Sequence, residues 1–121
     1  MKEIKTSIKR NWRSYRYAFK GLGYLLRENN FNIELVAGIV TILLGIFLEI
    51  SGTEWIVITL CIGMVLSAEA FNTAIEHLID LHYPEFNQKA GRIKDLSAAA
   101  VLITALAALI TGLIIFIPKF Y

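Results

Sequence analysis

Three long apolar segments restrict this chain of 121 residues to a membrane fold. Residues 35–48, 55–68 and 96–118 contain no Asp, Glu, Lys or Arg. The chain is 56% hydrophobic, which is too apolar for an ordinary soluble domain of this size. We therefore predict an all-α integral membrane protein in which residues 1–121 form a single domain with three transmembrane helices.

The first two segments are shorter than the roughly 20 residues that a membrane span needs, so each span must extend past a carboxylate. The first span then includes Glu34 and Glu49 near its ends, where a charge costs little. The second includes Glu69 at greater depth, where an ionisable side chain costs on the order of 2.5–3.5 kcal/mol and by default indicates a functional site. The predicted spans are residues 31–50, 55–82 and 95–117.

The N-terminal segment predicts an amphipathic surface helix over about residues 4–28. Apolar side chains recur there at spacings of three and four, from Ile4 to Leu26, and residues 1–28 contain eight of the 12 basic residues. Such a helix lies in the membrane interface, with its cations toward anionic head groups. The same cations would suit a nucleic acid, but the three apolar spans that follow favour the bilayer and predict no nucleic-acid partner.

Three carboxylates follow one face of the second predicted span. At about 100° per residue, Glu76 and Asp80 lie about 20° on either side of Glu69, and Asn72 lies near the same face. A helix over residues 55–82 would be about 42 Å long, which exceeds a hydrocarbon core of about 30 Å. We expect Glu69 within the bilayer near its boundary, and Glu76 and Asp80 at the aqueous interface, where Asp80 could also be a solvated surface charge.

The distribution of basic residues predicts the orientation. The N-terminal segment is basic, as is a polar loop expected over residues 83–94, whereas a tight turn expected over residues 51–54 has no Lys or Arg. The C-terminal tail has only Lys119. By the positive-inside rule, the N-terminus is then cytoplasmic and the C-terminus is outside. The carboxylates would face the cytoplasm, where ATP is available.

The depth of each polar residue suggests its chemistry. Glu69, removed from water, could accept a proton from a lipid hydroxyl at the same depth. Glu76 is better placed to bind a Mg²⁺ ion that bridges phosphates, since this ion uses one or two carboxylates with waters and phosphate oxygens. Asn72 could orient either carboxylate. Lys94 could meet a phosphate and Asp95 could hold that lysine or a nucleotide hydroxyl, or the two could form an ordinary interfacial charge pair.

Two classes of function remain open from the residues alone. One is a lipid-modifying enzyme that uses a phosphorylated co-substrate, and the other is a small ion- or proton-coupled transporter. No standard nucleotide motif such as the phosphate loop is present to decide between them. A transporter needs its carboxylates near the middle of the bilayer, whereas an enzyme needs them at the cytoplasmic boundary with basic groups nearby. The sequence fits the enzyme better.

Three polar motifs follow one another in the second half of the chain: Glu69-x-x-Asn72-x-Ala74-Ile75-Glu76-x-x-x-Asp80, Pro84-Glu85-Phe86 and Gly91-Arg92-x-Lys94-Asp95. With the chain length and the number of spans, they resemble the prokaryotic diacylglycerol kinase family, which includes undecaprenol kinases. The likeness covers nearly the whole chain. It implies a homotrimeric helical bundle of three-span subunits in the bacterial cytoplasmic membrane, which transfers the γ-phosphoryl group of ATP to the hydroxyl of a membrane lipid.

The resemblance also implies roles for individual residues. Glu69 would be the general base that binds the lipid hydroxyl, Glu28 and Glu76 would bind Mg²⁺, and Asn72 and Asp80 would support the site. Phe86 and Asn87 depart from the tyrosine and histidine common in the family, and Phe86 has no hydroxyl to offer a nucleotide. The implied nucleotide contacts are Arg10, Tyr17, Glu28, Glu76, Glu85, Phe86, Asn87, Lys94 and Asp95.

The family divides according to its lipid. Three further motifs resemble the branch typical of Gram-positive bacteria, whose members tend to phosphorylate undecaprenol: Glu28-x-Asn30-Phe31-x-Ile33, Glu54-Trp55 and Asn72-Thr73-Ala74. We therefore favour undecaprenol over diacylglycerol as the substrate, although the apolar spans suit both lipids.

Overall fold

The computed structural model describes residues 1–121 and contains four α-helices and no strands. Helices α2, α3 and α4 are long and apolar enough to cross a membrane. The prediction of an all-α membrane protein with a separate N-terminal helix is therefore confirmed, while the trimer stays a prediction. The elements are α1 (Lys2–Leu25), α2 (Asn29–Phe47), α3 (Gly52–His82), α4 (Gln88–Phe116) and a short 3₁₀-helix (Ile117–Phe120).

Helix α1 lies apart from the three spanning helices. None of its residues is buried, and large apolar side chains such as Trp12 and Phe19 are exposed. Only its C-terminal turns come close to α3, where Leu22 and Leu25 face Ala74 across a cleft. An amphipathic helix that packs so little against its own chain is suited to lie on a membrane surface, where lipid covers its apolar side.

The turn between α2 and α3 comes earlier than the sequence pattern suggested. Glu49 has a φ of 51°, a left-handed conformation, at the point where the chain reverses. Ser51 then caps α3, because its hydroxyl accepts a hydrogen bond from the Glu54 N–H (3.2 Å) while the Glu54 carboxylate accepts one from the Ser51 N–H (2.9 Å). The prediction of a turn over residues 51–54 was therefore wrong, because residues 52–54 form the first turn of α3.

The polar loop between α3 and α4 is also shorter than expected. Asn87 caps α4 by accepting a hydrogen bond from the Ala90 N–H at 3.0 Å, so the helix begins at Gln88. Residues 88–94, predicted as loop, are helical, and Gly91 lies inside the helix instead of ending it. This extension makes Lys94 and Asp95 part of a rigid helix.

Helix α3 is the centre of the bundle, because it packs against both α2 and α4. The apolar core lies near the α2–α3 turn and contains Ile50, Ile58, Ile115 and Phe116. At the same end Lys119 Nζ contacts Glu54 Oε1 at 3.0 Å, which joins the end of the chain to the start of α3. The apolar core and this ion pair thus lie at the same end of the bundle.

Gly45 allows α2 to approach the start of α3 closely. A Cβ atom at this position would lie 2.8 Å from Trp55 Cη2 and 3.0 Å from Ile50 Cδ1. Contacts this short require the large indole ring to move, so a side chain here would disturb the core.

We predict that Gly45→Ala destabilises the bundle relative to Gly112→Ala. The added methyl group should cost about 1–3 kcal/mol by overpacking, whereas a Cβ atom at Gly112 would meet nothing within 4 Å. Both changes carry the same gain in helix propensity, so their difference isolates the packing. Unfolding of the purified variants in micelles measures it, and equal stabilities would contradict the close approach.

Candidate functional site

A cavity of about 250 Å³ between α2, α3 and α4 contains the acidic cluster. Glu34 of α2 faces it together with Glu69 and Glu76 of α3. No lysine, arginine or histidine lines this cavity. It is therefore suited to accept a proton or a cation, and an anion would be repelled unless a cation accompanied it. The lining residues are Asn30, Ile33, Glu34, Glu69, Asn72, Glu76, Ala98 and Val101.

Glu69 is the most deeply buried carboxylate of the cluster. The residue is only 3% exposed, and the Thr73 hydroxyl one turn along α3 lies 3.5 Å from Glu69 Oε1 as a hydrogen-bond donor. The sequence predicted removal from water by lipid, whereas here the protein itself also covers the side chain. A carboxylate with so little water around it is chemically suited to take a proton from a hydroxyl that enters the cavity.

Asn72 connects the acidic cluster to α4. Its amide nitrogen donates a hydrogen bond to Glu76 Oε1 at 3.3 Å, and its amide oxygen accepts one from the Ser97 hydroxyl at 2.7 Å. Asn72 and Ser97 are both buried, while Glu76 is half-buried. Of the two carboxylates that Asn72 could orient, the side-chain hydrogen bond is made to Glu76.

Glu28 lies in a different cavity from Glu76, although the resemblance implies that both bind Mg²⁺. Glu28 lines the cleft of about 340 Å³ between α1 and α3, where its Oε1 is 3.2 Å from His77 Nε2. His77 directly follows Glu76 in α3. The chain contains no group of three or more His, Cys, Asp or Glu side chains that could bind a metal ion.

Asp80 and Lys94 form an ion pair between α3 and α4. The Asp80 side chain is 60% exposed, so the pair lies at the aqueous margin and outside the acidic cavity. Asp80 is thus not an isolated solvated charge. Lys94 pairs with Asp80 and makes no ion pair with its neighbour Asp95, which is exposed.

The other predicted nucleotide contacts are spread over the surface. Arg10 and Tyr17 lie on the exposed α1, where the Lys20 ammonium is 6.0 Å from the Tyr17 ring. Glu85 and Phe86 lie in the loop before α4, and Phe86 is almost fully exposed. The side-chain oxygen of Asn87 is occupied in capping α4. Within this chain these residues do not meet the acidic cavity, and their contacts with a nucleotide stay predictions.

Two residues of the site were not identified from the sequence. Glu34 was interpreted as a carboxylate near the end of a span, and Ser97 was assigned no role in the site. The available signal for Glu34 was a carboxylate at the fourth residue of the first predicted span. No spacing within α4 distinguishes Ser97 from its alanine neighbours, because its role depends on a contact with α3.

The chain is similar in sequence to several known proteins. Residues 16–116 match a family model described as prokaryotic diacylglycerol kinase. The undecaprenol kinase of Bacillus subtilis is 36% identical over 119 residues, which cover 98% of this chain and 97% of that protein. A diacylglycerol kinase of Synechocystis is 33% identical over 87% of this chain and 61% of its own length.

The diacylglycerol kinase of Escherichia coli K12 is 31% identical over 100 residues, which cover 82% of each chain. The family match runs from the middle of α1 to the end of α4. It therefore includes every residue that lines the acidic cavity.

Proposed function

The chain belongs to the prokaryotic diacylglycerol kinase family, and we propose that it transfers the γ-phosphoryl group of ATP to the hydroxyl of undecaprenol. As a member of this family it is a lipid kinase, a phosphotransferase that acts on a lipid alcohol. The observation that carries the proposal is the burial of Glu69 in a cavity that holds two further carboxylates and no basic side chain. Family membership also disfavours the transporter.

Glu69 is the proposed general base. A lipid hydroxyl in the cavity would donate its proton to the Glu69 carboxylate as its oxygen attacks the γ-phosphorus. A new P–O bond to the lipid forms while the bond between the γ-phosphorus and the β–γ bridging oxygen breaks, and ADP leaves. The proton on Glu69 then passes to water, which restores the base.

Mg²⁺ is the proposed cofactor because the cavity is acidic. The phosphates of ATP would be repelled by Glu34, Glu69 and Glu76 without a cation to offset the charge. Glu76 lines this cavity and Glu28 lines the neighbouring cleft, and both carboxylates are hard oxygen ligands of the kind that Mg²⁺ prefers. An ion held by these residues would take its remaining ligands from phosphates and water. Bound there, the ion would neutralise charge on the transferred phosphoryl group.

Lys94 is the proposed phosphate contact on the protein side. It lies in the first turns of α4, on the same helix as Ala98 of the cavity lining, and pairs with Asp80 at the aqueous margin. Arg10 and Tyr17 lie on α1, and both side chains are exposed within the single chain. We extend the proposal to a homotrimer, as the family resemblance implies, in which such exposed residues of one subunit would be free to approach another.

The proposed orientation places the site at the cytoplasmic face of the bacterial inner membrane. All basic residues except Lys119 lie in α1, in the α1–α2 connection or in the first turns of α4, at the end of the bundle that holds the Glu28–His77 and Asp80–Lys94 pairs. Lys119 lies at the opposite end with Glu54. The positive-inside rule then supports a cytoplasmic N-terminus and access to ATP.

An apolar groove supports a lipid as the substrate. It has a volume of about 420 Å³, starts at Glu34 and continues between α2, α3 and α4 along small residues such as Gly38, Ala105 and Ala108. A hydroxyl near Glu34 and Glu69 could therefore belong to a molecule whose apolar chain follows the groove. Undecaprenol is favoured over diacylglycerol by the branch-specific motifs and by the 36% identity to an undecaprenol kinase over almost the full chain.

The substrate assay tests this proposal directly. Purified protein in micelles is given γ-labelled ATP with Mg²⁺ and either undecaprenol or diacylglycerol. We expect label in undecaprenol, at a higher kcat/KM than for diacylglycerol. Preference for diacylglycerol would contradict the choice of lipid alone, whereas label in neither lipid would contradict the kinase and favour the ion- or proton-coupled transporter.

We predict that Glu69→Gln abolishes phosphoryl transfer and leaves the fold intact. The amide keeps the shape and a hydrogen-bond partner for Thr73 but cannot accept the proton, so kcat should fall by at least about 100-fold. Glu49→Gln, in the exposed turn at the other end of the bundle, is the matched control and should keep full activity. Full turnover by the Glu69 variant would contradict its assignment as the base.

We predict that Glu76→Ala raises the Mg²⁺ concentration needed for half-maximal activity. Loss of one carboxylate ligand should weaken the binding of the ion by at least about tenfold, so that excess Mg²⁺ restores part of the activity. A Mg²⁺ titration of the initial rate measures the effect, again with Glu49→Gln as the control. An unchanged Mg²⁺ dependence would argue that Glu76 is not a ligand.

A further inference from the structure

We propose that Ser97 is a positioning residue, whose hydroxyl sets the orientation of the Asn72 amide and thereby holds Glu76 ready to bind the metal ion. Ser97 lies on α4, whereas Asn72 and Glu76 lie one turn apart on α3. The consequence for phosphoryl transfer depends on the proposed kinase function. The arrangement of the three side chains does not.

The three side chains form a continuous chain of hydrogen bonds. The Ser97 hydroxyl donates to Asn72 Oδ1 at 2.7 Å, and Asn72 Nδ2 donates to Glu76 Oε1 at 3.3 Å. Ser97 is 9% exposed and Asn72 is 5% exposed, so water has little access to replace either partner. Each of the two hydrogen bonds therefore depends on its partner side chain, because water cannot easily take that side chain's place.

The Asn72 amide has two orientations of nearly equal shape, which differ in which atom faces Glu76. A carboxylate can only accept hydrogen bonds, so it favours the orientation that presents the NH₂ group. That orientation turns the amide oxygen toward α4, where it is buried and needs a donor. The Ser97 hydroxyl supplies that donor, and without it the orientation would leave a buried oxygen without a partner.

Ser97 has no substitute on its own helix. The α4 residues that line the cavity, Ala98 and Val101, have no side-chain donor. The Thr73 hydroxyl on α3 is directed to Glu69 Oε1, and Lys94 is paired with Asp80 outside the cavity. The orientation of Asn72 thus depends on a single side chain of α4.

We expect Ser97 to affect the binding of the ion more than the phosphoryl-transfer step. With Asn72 held by Ser97, one oxygen of Glu76 is anchored by a hydrogen bond, so the carboxylate is preorganised for a ligand. Loss of the Ser97 hydroxyl should weaken the binding of a divalent cation and raise the KM for the ATP complex, with a smaller change in kcat. If Ser97 served only in helix packing, its replacement would not change the KM more than it changes kcat.

The experiment measures Mn²⁺ binding in the presence of ATP by electron paramagnetic resonance, with protein in micelles and no lipid substrate. We expect Ser97→Ala to raise the Kd for Mn²⁺ about tenfold and Ser97→Thr, which keeps the hydroxyl, to restore it to within about twofold. Thr104→Val is the matched control, because it also removes a hydroxyl from α4 but one that bonds only to the Val101 carbonyl at 2.8 Å. Thermal unfolding of each variant verifies that it is folded.

A double-mutant cycle then tests whether Ser97 acts through Asn72. In the Asn72→Ala background, Ser97→Ala should change the Kd by less than about twofold, because the side chain that transmits its effect is gone. An unchanged Kd in the single variant, or a full effect of Ser97→Ala without Asn72, would overturn the proposal. Because binding is measured without lipid, failure to phosphorylate either lipid would refute the proposed function and leave this result intact.

Discussion

The rest of the structure depends on how the bundle buries carboxylates, above all Glu69, away from water. A charged side chain inside a membrane span costs several kcal/mol unless other groups compensate for it. This chain distributes the cost over two helices: Thr73 donates to Glu69 and Asn72 donates to Glu76 within α3, and Ser97 donates to Asn72 from α4. Helix α3 must lie in the middle, because only the central helix can have such side chains covered from both sides.

The two ends of the bundle are built differently, and the difference suits a site that opens at one end. At the α2–α3 turn, Gly45 admits the Trp55 ring, Ser51 and Glu54 cap α3, and Lys119 joins the chain end to Glu54. At the other end the contacts between elements are the Asp80–Lys94 ion pair and the Glu28–His77 contact, which are exposed or half-exposed and contribute little stability. Stability is thus concentrated away from the site, where ligands have to enter and leave.

Much of the fold follows from the sequence, and the errors lie at the helix ends. The three spans and the separate α1 could be predicted because apolar segment length and a spacing of three and four are direct consequences of helix geometry. The turn at residues 51–54 and the loop at residues 83–94 were extended too far, because Gly and polar residues were interpreted as breaks. Ser51-x-x-Glu54 is a capping box, and Asn87 is a favourable N-cap, so both true starts were present in the sequence.

The sequence by itself determined that Glu69, Asn72 and Glu76 share one face, because residues on one helix keep a constant angular spacing whatever surrounds them. It also determined the membrane class, because the length of an apolar segment decides whether a helix can cross a bilayer. Only the tertiary structure decided that Glu34 joins this cluster, that Ser97 reaches Asn72, that Lys94 pairs with Asp80 and that Glu28 lies in a separate cleft. These contacts depend on how α1, α2 and α4 are rotated and shifted against α3, and the spacing within a single helix contains no information about that.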